Sequence, residues 1–335
     1  MTLSIRKCPV SMLVALACAA IVPAGATAAA AASPADYPTR PIRLVVPWTA
    51  AGTTDLVARS VAERLGARLG QPVVVENRPG ATGLIGTQQV AQAAPDGYTL
   101  LLMSATVHTV SPNLKKSYPL DPIDDFTPIS QVVSFPYVMV VPAKSPYHSV
   151  VDVAEAARKA PGKVSYGSFG LSSSPFLISE LFALSTDTKL LHVPYKGAAP
   201  AIQDLLGGYI SFFIDSLPSP LGQIRGGQLR ALAVTPPQRS PILPDVPTMA
   251  ETIPGFEAIA WIGIGAPANL PAPIAERLNR ELQAIAAEPA YQQKLRDMGL
   301  EAVANKSPAE FRSWLQAQKQ YWGDFVQKAH IPLSE

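Results

Sequence analysis

Three stretches of this sequence have a composition suited to holding an anion without a strong cation. The first runs Trp48, Thr49, Ala50, Ala51, Gly52, Thr53, Thr54, Asp55. The second is Gly167 and Ser168, followed by Phe169, Gly170, Leu171, Ser172, Ser173 and Ser174. The third is Pro194, Tyr195, Lys196, Gly197, Ala198, Ala199 and Pro200. Each leaves a β-type run and enters a helical one through glycine, small or hydroxylated residues. The first turn of a helix carries amide N–H groups that have no backbone acceptor and a partial positive charge. Small side chains let a ligand approach that backbone, so a carboxylate can be held there by amides alone. Each turn is equally an ordinary capped connection, because Ser and Thr are common N-caps.

Single residues around these turns carry two readings each. Trp48 and Phe169 serve as apolar pocket walls or as packing residues. Lys196 attracts an anion or stays solvated at a loop tip. Asp55 falls in the first turn of a helix, where a carboxylate offsets the dipole, and the structural role is favoured. Asp215 follows the apolar run at 210–214 and is a pocket or hinge candidate. His108 follows the run at 98–103, at a carboxyl end, and keeps functional weight for that reason.

Enzyme motifs mostly fail. Tyr166-Gly167-Ser168-Phe169-Gly170 lacks the leading glycine of a nucleophile elbow. The glycines of Gly80-Ala81-Thr82-Gly83-Leu84-Ile85-Gly86 recur every third residue, which is not the dinucleotide fingerprint, and there is no Walker sequence. His108, His148, His192 and His330 show no zinc-helix spacing. No spacing supplies a nucleophile with a base, which a hydrolase would need. The expectation is a binding protein with no catalytic residue, metal or cofactor.

The elements that would position these loops alternate. Short β-type runs at 42–46, 73–75 and 98–103 are separated by helical patterns at 55–69 and 83–93. The 55–69 pattern places Leu56, Val57, Ser60, Val61, Leu65 and Leu69 on one face, and Gly70 ends it. Near-continuous apolar strands joined by helices indicate a parallel α/β sheet buried on both faces. Ligands of such sheets lie beyond the carboxyl ends of the strands, where the three loops fall. Further strands are read at 137–142, 164–168, 190–193, 210–214, 229–234 and 258–265. Further helices are read at 150–159, 174–184, 199–206, 273–288, 290–298 and 308–328. Two α/β lobes with crossing strands at 137–142 and 258–265 account for this order: 37–136 and 259–335 in lobe 1, 137–258 in lobe 2. The last helices then return to lobe 1.

The N-terminus reads as a secretory signal peptide over 1–32. Arg6 and Lys7 precede an apolar run too short to span a bilayer with ease, and Ala-x-Ala cleavage choices follow. Lipoprotein cleavage before Cys18 is the rival, although Ala15 stands where leucine is usual. Cys8 and Cys18 both lie in this leader, so the exported chain would carry no thiol or disulfide. The full chain has 27 Lys and Arg against 25 Asp and Glu; without Arg6 and Lys7 the two balance. A neutral surface gives no field for nucleic acid or anionic lipid.

Several strings together resemble the Bug family, the periplasmic substrate-binding components of tripartite tricarboxylate transporters. They are YPTRPIRLVVP at 37–47, VENRPGA at 75–81, APDGYTL at 94–100, HVPYKG at 192–197, LRALAVT at 229–235 and LPDVPT at 243–248. The resemblance covers nearly all the chain after the leader. It implies a two-lobed, type II periplasmic-binding-protein fold, with the ligand cleft between lobes joined by two crossing strands. It implies capture of a small organic carboxylate (a di- or tricarboxylate, acidic amino acid or aromatic acid) and delivery to membrane transporter subunits. A periplasmic sensing module for a signalling receptor is the alternative. A monomer is the default for a protein that must hinge. Carried onto this sequence, the contacts are 48–55 in one lobe and 172–174 with 195–199 in the other, with Thr106, His108 and Asp215 near the cleft. Departures cluster at the same places. Ala51 stands where glycine is usual, Pro175 follows Ser174 and has no N–H, and Ser216 follows Asp215 in place of asparagine.

Overall fold

The structure is a computed structural model that describes residues 36–50, 52–303 and 306–334. The expected leader at 1–32, with both cysteines, and Ala51 of the first loop lie outside the described residues. The first half comprises β1 (Ile42–Val46), α1 (Thr53–Leu69), β2 (Val73–Asn77), α2 (Leu84–Ala91) and β3 (Thr99–Ser104). β1 lies between β2 and β3 and is parallel to both. Parallel neighbours need crossover connections, and α1 and α2 supply them. α1 buries Val57, Val61, Leu65 and Leu69 against Ile42, Leu44, Leu100 and Leu102 of the sheet. Burying each such side chain contributes about 1.5–3 kcal/mol. Leu56 was expected on this face but is 47% exposed; Asp55 takes the inward position in its place. Gly70 ends the helix in the left-handed conformation, with φ 71°, and its N–H bonds the Gly66 carbonyl.

The second half contains α3 (Val150–Lys159), β5 (Ser165–Ser168), α4 (Ser174–Ser185), β6 (Leu191–Pro194), α5 (Ala198–Leu206), β7 (Phe212–Ser216), α6 (Leu221–Arg225) and β8 (Leu229–Val234). β5 is parallel to both β6 and β7. The halves share one strand. β4 (Phe126–Pro142) pairs with β9 (Ile259–Pro267) over Phe126 to Pro136, then with β7 and β8 from Tyr137 onward. β9 continues to β3, all antiparallel. The result is the two-lobed α/β fold with crossing strands.

β4 is 17 residues long, whereas only its second part was expected. Pro128 and Pro136 break the sequence pattern. The strand accommodates irregularity through register shifts between Pro128 and Ser130 and between Gln131 and Val133, as proline in a sheet commonly requires. The chain closes with α7 (Ala272–Ala286), α8 (Pro289–Asp297), β10 (Glu301–Ala302) and α9 (Pro308–Lys328). α9 does not pack solely on the first half. Phe311 and Leu315 join Trp261 and Phe126, but Trp322, Phe325 and Val326 join Tyr137, Met139 and Phe182 of the second half. Its apolar stripe is long enough to serve both cores.

Candidate functional site

A cavity of about 480 Å³ opens where the loops of both halves meet. From the first half it is lined by Trp48, Thr54 and Thr82, and by Ser104, Ala105 and Thr106 beyond β3. From the second half it is lined by Phe169, Ser172 to Pro175, Lys196, Gly197, Asp215 and Ser216. The crossing strands form its base through Phe135, Tyr137, Ala260, Trp261 and Ile262. The starts of α1, α4 and α5 therefore border one space.

The first loop is held from behind by Asp55. Its carboxylate is 2% exposed and accepts hydrogen bonds from Arg59 Nε and Asn77 Nδ2, both at 2.9 Å. Asn77 Nδ2 also donates to the Trp48 carbonyl at 3.1 Å, so α1, β2 and the Trp48 turn are tied through one side-chain amide. Asp55→Ala should lower stability by about 1–3 kcal/mol, because Asn77 and Arg59 lose a buried charged acceptor. A urea melt measures this, and indole emission should report a looser Trp48. Gly52, the N-cap residue, has no side chain to cap the helix, so the first-turn amides of α1 are not closed by a side-chain oxygen from that position. The Trp48 ring rests near Gly83, whose φ is +92°; a Cβ there would meet Val107 at 2.8 Å and Trp48 at 3.3 Å. This explains the Gly80–Gly86 glycines that fit no nucleotide fingerprint. They shape the wall that presents Thr82, itself at φ 56°.

The second loop is partly self-satisfied. Ser173 Oγ accepts from Phe169 and Phe176 amides and donates to the Gly170 carbonyl at 2.7 Å. Pro175 adds no N–H. The Ser174 hydroxyl adjoins Tyr137 instead. Ser172 Oγ lies 3.2 Å from Ser334 Oγ, which donates to Leu114, so the C-terminus braces this loop. In the third loop Gly197 precedes α5 without a side-chain cap. Tyr195 donates to Asp204 at 2.8 Å and does not line the cavity, while Lys196 is exposed at its edge.

Of the expected contacts, Trp48, Thr54, Thr106, Phe169, Ser172, Ser173, Ser174, Lys196, Gly197 and Asp215 line the cavity. Thr49, Ala50, Gly52, Thr53, Asp55, His108, Gly170, Tyr195, Ala198 and Ala199 do not form its wall. His108 is fully buried behind it, edge-on to Phe126 at 5.5 Å and tilted against Trp261 at 6.2 Å. Burial lowers its pKa to about 4. The unfolded histidine titrates near 6.5, so stability should be full above that pH and be lost as pH falls toward 4. His108→Gln should remove that loss, as read from melting temperatures across the interval. The missed wall residues are Thr82, Ser104, Ala105, Phe135, Tyr137, Pro175, Ser216, Ala260, Trp261 and Ile262. Those on β4 and β9 read as core in the sequence; only strand crossing at the cleft gives them a second face.

One Ser–His contact was invisible in the spacing. Ser168 Oγ and His192 Nε2 are 2.6 Å apart. Ser168 is fully buried, does not line the cavity, and accepts the Gly170 amide at 3.0 Å. The pair fixes the second loop to β6; a nucleophile needs access that Ser168 lacks.

Polar atoms of the wall lack protein partners. Trp48 Nε1, Trp261 Nε1, Ser104 Oγ and Ser174 Oγ are buried with no hydrogen bond among the described residues. Such groups normally find a partner, and here they adjoin a space able to hold one. Asp215 is 4% exposed, and burial pushes its carboxyl up to about 6 although Ser219 and Ser216 donate to it. Among the described residues, no group of three or more His, Cys, Asp or Glu side chains could hold a metal ion.

Known proteins resemble this chain over most of its length. The family model described as tripartite tricarboxylate transporter family receptor matches residues 57–331. BugT of Bordetella pertussis is 38% identical over 320 residues, covering 95% of this chain and 98% of its own. The solved periplasmic binding protein BugD is 38% identical, with a TM-score of 0.76, over 88% of this chain and 99% of its own. Rpa4515 of R. palustris, solved with adipate, is 36% identical, with a TM-score of 0.80, over 88% of this chain and 99% of its own.

Proposed function

The chain belongs to the tripartite tricarboxylate transporter receptor family, and from that premise we propose that it captures a small organic carboxylate between its lobes and delivers it to a membrane transporter. The observation that carries this is the convergence of three helix starts and four unpartnered donors on one cavity of about 480 Å³. Anion binding by amides, indole N–H groups and hydroxyls needs no cation cluster. The adipate held by Rpa4515 supports a carboxylate ligand. The protein acts as a monomer outside the cytoplasmic membrane, exported by the N-terminal leader. No helix among the described residues is long and apolar enough to cross a membrane. The lobes are 37–136 with 259–335, and 137–258, with α9 packed on both. Closure is favoured by as much as the ligand prefers the closed state.

A thermal-shift screen of the protein from Ala35 onward, against organic acids and neutral solutes, tests this. A ligand that binds only the native state raises the melting temperature by mass action. A selective rise with carboxylates is expected. A rise with neutral or cationic solutes alone would overturn the anion site.

A further inference from the structure

The cavity has an uneven charge pattern. Its basic residue, Lys196, stands exposed at the edge, whereas its acidic residue, Asp215, is nearly fully buried. No Lys or Arg forms an ion pair with Asp215 among the described residues. It is served by hydroxyls and an amide from Ser216 and Ser219, and the Tyr137 phenol lies close enough to be influenced by its charge. An ionised carboxylate only accepts hydrogen bonds. Buried donors without a hydrogen bond, Trp48 Nε1, Trp261 Nε1 and Ser104 Oγ from the first half and Ser174 Oγ from the second, belong to the same wall. The wall thus offers buried donors together with one acceptor of negative charge. The same wall carries the aromatic side chains of Trp48, Phe135, Phe169 and Trp261. A tricarboxylate, or a dicarboxylate with both charges present, would bring a second anion into the same space as Asp215. Like charges in a low-dielectric cleft repel strongly.

Resting on the proposed carboxylate capture, we infer that the ligand is an organic acid with a single carboxylate, an apolar body, and a hydroxyl or ammonium donor that pairs with Asp215. The carboxylate takes the amides and the unpartnered donors. The body lies along the aromatic side chains, and the donor pairs with the Asp215 carboxylate. A site built to pair a buried polar group rejects analogues that leave it unpaired more strongly than it rejects a small change in apolar size.

Two matched series test this by titration calorimetry at pH 8, where Asp215 is ionised. One is benzoate, 4-hydroxybenzoate, 4-(aminomethyl)benzoate and terephthalate. The other is hexanoate, 6-hydroxyhexanoate, 6-aminohexanoate and adipate. In the series that fits the cavity, a donor-bearing acid should bind at least tenfold tighter than the unsubstituted acid, and the diacid more weakly than both. The tighter of the hydroxy and amino members names the donor. Asp215→Asn should erase the donor preference and improve diacid binding at least tenfold. Diacid binding as tight as that of the donor-bearing acid in the wild type would overturn the inference, as would an unchanged order in Asp215→Asn. Absence of binding by all eight acids would also overturn it. The wild-type series decides alone if the variant does not fold. The acid screen above judges carboxylate capture separately, so a diacid that binds tightly sinks this inference and leaves the parent reading standing.

Discussion

Trp261→Ala should lose about 3 kcal/mol or more of stability and all measurable ligand binding. The indole is 1% exposed and packs edge-on to Phe311 at 5.8 Å and Trp314 at 5.6 Å, both on α9. Truncating a buried aromatic side chain to alanine typically costs about 3–5 kcal/mol, through lost transfer energy and an unfilled cavity. The low end applies here, because one face borders the cleft and water can enter. The same ring supplies Nε1, a buried donor without a protein partner. Trp261→Phe separates the two roles. It keeps most of the packing and removes the N–H, so affinity should fall about tenfold or more, the worth of a hydrogen bond to a charged group. Urea melts and calorimetry on both variants check this. Equal affinity in Trp261→Phe would mean that the indole is only a wall.

Asp215→Asn should make the protein more stable at pH 8, by on the order of 3 kcal/mol, and no more stable at pH 4. A carboxyl near 3.8 in the unfolded chain is pushed up to about 6 in the fold, mainly by burial. As pH rises through this interval the unfolded chain ionises first, so native stability falls and the full cost is present above 6. Asparagine carries no such cost, and its carbonyl can still accept from Ser216 and Ser219. His108 contributes the opposite slope in an overlapping interval, since its neutral form is the native one. The wild-type profile between pH 4 and 6 should therefore be flatter than that of either single variant. Melting curves at pH 4, 6 and 8 read all three. A persistent advantage of Asp215→Asn at pH 4 would show that charge burial is not its cause. A costly acid at 215 fits a role in ligand recognition, where stability is commonly given up for function.

The parallel strands and their helices were legible because hydrophobic period and capping agree along them. Val150–Lys159, Leu229–Val234 and Pro308–Lys328 coincide with their expected bounds. Ser149 and Asp152 form a capping box at the first of these helices, a local signal that needs no tertiary context. The first part of β4 was illegible because its prolines mark a break in isolation, while pairing with β9 supplies the partner that tolerates bulges. The division of α9 between two cores was hidden for a related reason, since one amphipathic stripe does not say how many cores it serves. At the site, loop composition located helix starts that border the cleft. It could not separate residues facing the space, such as Thr54 and Gly197, from those that turn inward or outward beside them, such as Asp55 and Tyr195. Local sequence is also silent on Trp261, whose strand is buried on both faces until the two lobes meet beside it.

The most direct measurement is a crystal structure of the protein with the best acid from the screen. A carboxylate is expected within hydrogen-bond reach of the first-turn amides of α1 or α5, or of Trp48 Nε1, Trp261 Nε1 and Ser104 Oγ, with residues of both lobes around it. An acid seated outside this cleft, or a carboxylate turned away from all of those donors, would contradict this expectation.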